Sequence, residues 1–460
     1  MSDIASLIKC QQALHETGWG LYHYFAISVA CACSFAQAMA FSSIPYVIPL
    51  AICDTSISQN MILIADVCLS FGMAIGGFFL SSITDVTGRK CMIPTSLMII
   101  FGSMFVCGFI HEPVMIVMCA FVLGSGLVAN AHSAKIYLSE ILPIEKRGSF
   151  LAFQDVFWTV GYIIATFCSY LLTLPIVEQR NKEIRLATWR IIFALLGVSS
   201  IVVACASALL LPSPRFLILL KQYPEALDTL KRMYAINNSK YSETYTSHQQ
   251  DLYDCIDDFN LNSYSQATTC VEVATVDIWL TKMLQHGNEK DCHFNAVDIL
   301  HLEDDLDKCV QNIPSYIYKN FCILSINILL GQLILIFVVD RFGRRVPILC
   351  GCIICAITSF TLRYVQNLQV FRLICASLLM MAYSIIDSTV NIVVVESYPT
   401  AFRGTAAGST AFFAKFVGGF IKRFLEVPCQ HSFTFMGTVM IAGAALSYFL
   451  PDLRKEPMVE

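Results

Sequence analysis

Four short loops concentrate the charge of this 460-residue chain, and their residue types suit ion pairing rather than bond-making chemistry. The first reads Asp85-x-x-Gly88-Arg89-Lys90 and the second Glu140-x-x-Pro143-x-x-x-Arg147-Gly148. Both return later, as Asp340-x-x-Gly343-Arg344-Arg345 and Glu396-x-x-Pro399-x-x-x-Arg403-Gly404. The offset is 255 residues from Asp85 to Asp340 and 256 from Glu140 to Glu396, so two composite loops recur in one order and point to internal duplication. Each Asp can receive the amides of a helix N-terminus, and Gly88 and Gly343 permit a turn at positive φ. Glu140 stands one helical turn before the helix-ending Pro143, from where it can pair with Arg147. The basic pairs Arg89-Lys90 and Arg344-Arg345 are expected in headgroup water facing acidic lipid. Ion pairs of this kind form in one conformer and break in another, a latch at one membrane face; a single basic loop reads equally well as an orientation signal. No phosphate loop, nucleophile elbow or metal-ligand spacing is present, so neither an enzyme nor a cofactor or metal is expected.

The elements between these loops are apolar. Hydrophobic residues make up 56% of the chain and charged ones 14%, with mean hydropathy +0.64, more apolar surface than one soluble core can hide. A net charge of -4 offers no basic field for nucleic acid. Runs long enough to cross a bilayer as helices lie near 22–50, 60–83, 91–110, 113–137, 149–174, 190–211, 317–339, 346–363, 369–395, 405–425 and 432–450. Most of the 20 cysteines fall inside these runs, where they read as small hydrophobes. No cleavable leader is evident, so the first span is expected to insert and stay. Residues 212–316 hold 16 of the 34 acidic residues and divide the chain into halves. The expected organisation is a cytosolic segment at 1–20, a six-helix bundle at 21–211, an inter-bundle loop at 212–267, a weak seventh span with an outer loop at 268–316, and a second bundle with a short tail at 317–460.

The segments Asp85 to Lys90 and Asp340 to Arg345 resemble the loop signature of the major facilitator superfamily, and the repeated Glu-x-x-Pro-x-x-x-Arg-Gly resembles that of its sugar-porter branch. Pro212-Ser213-Pro214-Arg215-Phe216-Leu217 is similar to that branch's Pro-Glu-Ser-Pro-Arg segment. Thr17-Gly18-Trp19-Gly20, Tyr22-His23-Tyr24 and Glu396-Ser397-Tyr398-Pro399 look most like the synaptic vesicle glycoprotein 2 family and its invertebrate relatives. The resemblance implies an all-α membrane protein with the twelve-helix, two-bundle transporter fold, both termini in the cytosol, a solute site near mid-membrane, and the charged loops as cytosolic gates. The gate residues would be Asp85, Gly88, Arg89, Lys90, Glu140, Arg147, Asp340, Gly343, Arg344, Arg345, Glu396 and Arg403.

The chain departs from that pattern in places. Ser81 stands where the signature opens with Gly, Ala120 where relatives carry an Arg, and Gln37 and Ala40 where the vesicle family carries acids. Only about eleven spans are clear. Thr268 to Gln285 contains Glu272 and Asp277, so the seventh span is either short and compromised or lacks its inner part.

Polar groups inside spans are candidates for a solute pathway: Gln37, Asp155, Asp387, Asn391 and Lys415, with Asp387 and Lys415 a possible pair. Each also has a structural reading, as a snorkelling or paired charge. His132 and Lys135 read as lining an inner vestibule, with Lys135 also a local partner for Glu140, and Asp66 as headgroup-exposed. Cys292 and Cys309 lie in the segment placed outside, where a disulfide is permitted. The sequon at Asn237-Asn238-Ser239 falls in the inter-bundle loop and reads as chance. The expected function is transport of a small organic solute across a plasma or vesicle membrane by alternating access. The competing expectation is a transporter-like membrane protein that binds partners and no longer transports.

Overall fold

The computed structural model describes residues 13–44, 59–110, 112–143, 146–172, 182–239, 315–364, 369–424 and 429–448. In lipid every backbone amide and carbonyl must find its partner within the segment or a closed sheet, so apolar runs of this length become helices. The first half holds α1 (Leu21–Ser42), α2 (Gln59–Phe71, continued by Gly72–Gly76 and Gly77–Thr87), α3 (Arg89–Phe109), α4 (Pro113–Ile141), α5 (Arg147–Leu172) and α6 (Lys182–Ser207). Two short helices follow, α7 (Pro214–Leu219) and α8 (Tyr223–Asn238). The second half holds α9 (Ser315–Phe342), α10 (Arg345–Tyr364), α11 (Gln369–Ser397), α12 (Arg403–Phe424) and α13 (Cys429–Ser447).

Among the described residues, nine helices are long and apolar enough to cross a membrane. Two further long helices stand outside that set, α12 with its Lys415, Lys422 and Arg423 and α13 with a shorter apolar stretch. The protein is therefore an all-α, multi-pass membrane protein. The expected seventh span at 268–316 and the cysteines Cys292 and Cys309 lie outside the described residues.

Two buried clusters make up the core of the described residues. One buried cluster runs through α1 to α8 and takes in Leu335 and Val339 of α9 and Ile392 of α11; a second is built from α9 to α13. The halves join along two helix pairs, α2 with α12 and α5 with α9. Along the first, Phe78 meets Phe412 and Phe71 meets Phe416, with ring centroids 6.1 and 5.4 Å apart. Along the second, Thr159 donates a 2.6 Å hydrogen bond to Gln332. Under the duplication these two joints are copies of each other: the helix ending in the Asp turn of one half packs against the helix beginning with Arg-Gly in the other.

The turns that end α2 and α9 depend on glycine. Gly88 has φ +89 and Gly343 φ +81, conformations that side chains rarely adopt. At Gly88 a Cβ would also lie 2.8 Å from the ring of Phe216 on α7. Alanine at Gly88 or Gly343 should each destabilise the fold by about 1–3 kcal/mol, the larger loss at Gly88. Gly102→Ala, inside α3 where a Cβ meets nothing within 4 Å, should leave the unfolding temperature unchanged or slightly raised; thermal unfolding in detergent compares the three.

Candidate functional site

All four charged loops come together at one end of the two-bundle assembly, and the carboxylates reach across from one half to the other. Asp85 at the end of α2 accepts hydrogen bonds from the backbone N–H of Gly404 at 2.9 Å and of Thr405 at 2.7 Å, and from the Thr405 hydroxyl at 2.9 Å. It thereby caps the N-terminus of α12, whose first amides have no helical partner and carry the positive end of the helix dipole. Asp340 repeats this on α5: it accepts from the Ser149 backbone N–H at 2.9 Å and from the Ser149 hydroxyl. The approach is close enough to require the glycine after each Arg. A Cβ on Gly404 would lie 2.3 Å from Thr84 Oγ1, and one on Gly148 would lie 2.3 Å from Asp340 Oδ1.

The second layer is a set of buried ion pairs. Glu140, fully buried at the end of α4, lies 3.1 Å from Arg89 Nε of its own half and 3.1 Å from Arg403 Nη1 of the other. Arg89 also sits 3.4 Å from Asp85 and donates to the Thr400 carbonyl, so it too spans the halves. In the second half Arg344 grips Glu396 with Nε and Nη2, both at 2.9 Å, and lies 3.5 Å from Asp340. Two expectations from spacing are corrected. Glu140 does not pair with Arg147, and Glu396 pairs with Arg344 rather than with the Arg seven residues on, because the Pro turns carry each following Arg toward the opposite half. Arg89 and Arg344 are 1% and 4% exposed instead of standing in headgroup water; Lys90 is half-buried, and Arg345 lies over the Tyr448 ring at 4.2 Å. A charge this deep costs several kcal/mol, on the order of its solvation loss, if left alone, so pairing is strongly favoured.

Deeper in the bundle, Lys135 on α4 pairs with Asp155 on α5 at 2.8 and 3.0 Å, so it is a partner of Asp155 and not of Glu140. His132, one turn earlier, shares a 2.8 Å hydrogen bond with Ser81, and Lys415 of α12 lies near enough to act electrostatically on that ring. Ser81 itself is fully buried, and the close packing its missing glycine would give comes from the facing side, where Gly404 and Gly408 of α12 approach it. Gln37, Asp387 and Asn391 are half-buried, on α1 and α11. Asp66 is half-buried on α2. Among the described residues no three His, Cys, Asp or Glu side chains converge as a metal site.

One cluster escaped the sequence reading. Asn237, taken as part of a chance sequon, holds the turn before α1: its amide donates to the Thr17 and Gly18 carbonyls at 3.2 and 2.8 Å, and its oxygen accepts from Tyr22 N–H at 3.0 Å. Trp19 stacks between His23 and Phe150, with Lys146 over its ring. The signal was present in Thr17-Gly18-Trp19-Gly20, but its partner lies more than 200 residues away.

A family model described as "Sugar (and other) transporter" matches residues 54–273. Synaptic vesicle glycoprotein 2B of Rattus norvegicus is 24% identical over 227 residues, 49% of this chain and 33% of that protein, so the chain spans about a third of that relative's length. Organic cation/carnitine transporter 7 of Arabidopsis thaliana is 22% identical over 468 residues, covering 94% of this chain and 90% of that one. Among solved structures, the proton:xylose symporter XylE bound to 6-bromo-6-deoxy-D-glucose is similar in fold, with a TM-score of 0.72 at 15% identity over 95% of this chain and 98% of that one.

Methyl groups placed in the two caps test whether the close approach holds the halves together. Gly404→Ala and Gly148→Ala should each lower the unfolding temperature and raise the proteolytic sensitivity of this end of the molecule, by roughly 1–3 kcal/mol for an overpacked contact. The two effects should be similar, because the joints are copies.

Proposed function

We propose that this chain, a sugar-porter-like member of the major facilitator superfamily similar to the synaptic vesicle glycoproteins, moves a small organic solute across a plasma or vesicle membrane by alternating access. The observation that carries this reading is the exchange of helix caps: Asp85 caps α12 and Asp340 caps α5, each reaching from one half to the other. Both bonds join parts that must separate for the charged end to open, so the closed conformer is held by interactions that one rocking motion breaks together. Asp85, Asp340, Glu140, Glu396 and the arginines Arg89, Arg344, Arg403 and Arg147 then act as a gate, with Gly88 and Gly343 setting its turns and Lys90 and Arg345 at its rim.

The pathway would run between α1, α4 and α5 of one half and α11 and α12 of the other. Asp155, neutralised by Lys135, and the polar groups Gln37, Asp387, Asn391 and Lys415 are its candidate lining. The solute is organic and small; the names of relatives span organic cations, carnitine and a xylose symporter, and do not narrow it further. The chemistry proposed is binding and release without covalent change, so no enzymatic step is assigned.

A second reading, a transporter-shaped protein that binds partners without transporting, draws on Ala120, fully buried on α4 where the family resemblance implies an arginine. Uptake by the reconstituted chain separates the two. Across a panel of sugars and organic ions, the transport reading expects saturable uptake of at least one solute. In Asp85→Asn with Asp340→Asn that uptake should fall by tenfold or more, as expected if charge-assisted bonds worth about 1.5–3 kcal/mol each are weakened. Absence of uptake from well-folded protein would sink the transport reading and leave the binding one.

A further inference from the structure

The duplication makes a demand that the structure does not meet. In the first half Glu140 is shared between Arg89 and an arginine of the opposite half, Arg403. The matching set is Arg344, Glu396 and Arg147, yet both oxygens of Glu396 are taken by Arg344. Arg147, 1% exposed, is left with neither Nε nor Nη2 hydrogen-bonded among the described residues. Those two nitrogens lie on one edge of the guanidinium. It is the same edge by which Arg344 holds the two oxygens of Glu396, so the unused donors are spaced for a group presenting two oxygens in one plane.

Its surroundings select the charge of that group. Arg215, Arg403 and Arg344 act on Arg147 with like charge and Glu396 opposes them, while Arg403 and Arg344 are themselves partly offset by Glu140 and Asp340. The segment carrying Arg215 reads Pro212-Ser213-Pro214-Arg215, without the acid of the Pro-Glu-Ser-Pro-Arg that it resembles. A doubly charged oxyanion therefore offsets more of the local repulsion than a carboxylate does. Arg147 is the first residue of α5, at the level of the charged loops rather than of the hydrocarbon, so the anion is supplied from the aqueous or headgroup layer.

We propose that the Nε and Nη2 edge of Arg147 is a binding site for a phosphate group at the charged end of the molecule, bound as Arg344 binds Glu396. The inference stands on the unmade edge and on the arginine excess, and does not require that the chain transport anything. A phosphate held on this edge of Arg147 would also feel the positive charge of Arg344 and Arg403 of the second half, which act electrostatically on Arg147, so it would favour the conformer that brings these groups together.

The test is thermal unfolding of the purified chain in inorganic phosphate against chloride at constant ionic strength, and in nanodiscs of phosphatidylcholine with and without phosphatidic acid. A saturable rise in Tm of roughly 2–4 °C is expected in at least one arm. A rise with inorganic phosphate identifies a soluble source; a rise confined to phosphatidic acid identifies a lipid headgroup. In phosphate-free buffer Arg147→Gln should unfold no earlier than the native chain, since it removes an uncompensated charge, and it should lose the rise. Arg147→Lys, which keeps the charge without the two-donor edge, should show less than half of it. No rise in either arm, an early-unfolding Arg147→Gln, or a full rise in Arg147→Lys would each overturn the site, because the edge is then met by water or by protein.

Discussion

The two halves of this protein hold each other by capping each other's helices. The first amides of a helix have no partner within it and must be satisfied from outside, and those of α5 and α12 are buried among side chains. The acid that satisfies them comes from the opposite half in both cases, Asp340 to Ser149 and Asp85 to Gly404 and Thr405. Much else at this end follows. The positive-φ turns at Gly88 and Gly343 bring each Asp to its place, the glycines Gly148 and Gly404 admit it, and the arginines that follow are drawn inward with their helices.

Once those arginines are inward, buried carboxylates become obligatory. Glu140 and Glu396 are 0% and 5% exposed and lie against guanidinium groups on every side the contacts define. A buried ion pair adds little net stability over an apolar contact of equal volume, but leaving one member without the other is expensive. An arrangement of this kind fixes which conformer is reached rather than how deep its energy lies. The departure from symmetry at Arg147 is the more informative for that reason: one of two equivalent cross-half pairs is made and the other is not.

The fold was legible in the sequence because its signals are strong and repeated. Eleven apolar runs, and loops recurring at 255 and 256 residues, are enough to state a two-bundle membrane protein. The ability of Asp85 and Asp340 to receive helix amides was legible too, since it is a property of residue type. Which helix each would cap was not. Spacing along the chain favours the local pair Glu140 with Arg147, whereas the structure joins Glu140 to Arg403, 263 residues away. Lys135 illustrates the same limit, being five residues from Glu140 yet bonded to Asp155. Asn237 shows it most fully: its glycosylation pattern is local and its actual partners, Thr17, Gly18 and Tyr22, lie at the other end of the half.

The pairing of Glu140 with Arg403 is where the account is most exposed, because among the described residues it joins one half's acid directly to the other half's arginine at 3.1 Å with both side chains fully buried. A double-mutant cycle on Glu140→Gln and Arg403→Gln, read from unfolding free energies in detergent or nanodiscs, measures that contact without reference to any solute. The two changes together should cost less than the sum of each alone, with a coupling of about 1–3 kcal/mol. Additivity within about 0.5 kcal/mol would mean that the halves are not joined through this pair, and the capped, two-bundle closure described here would be wrong.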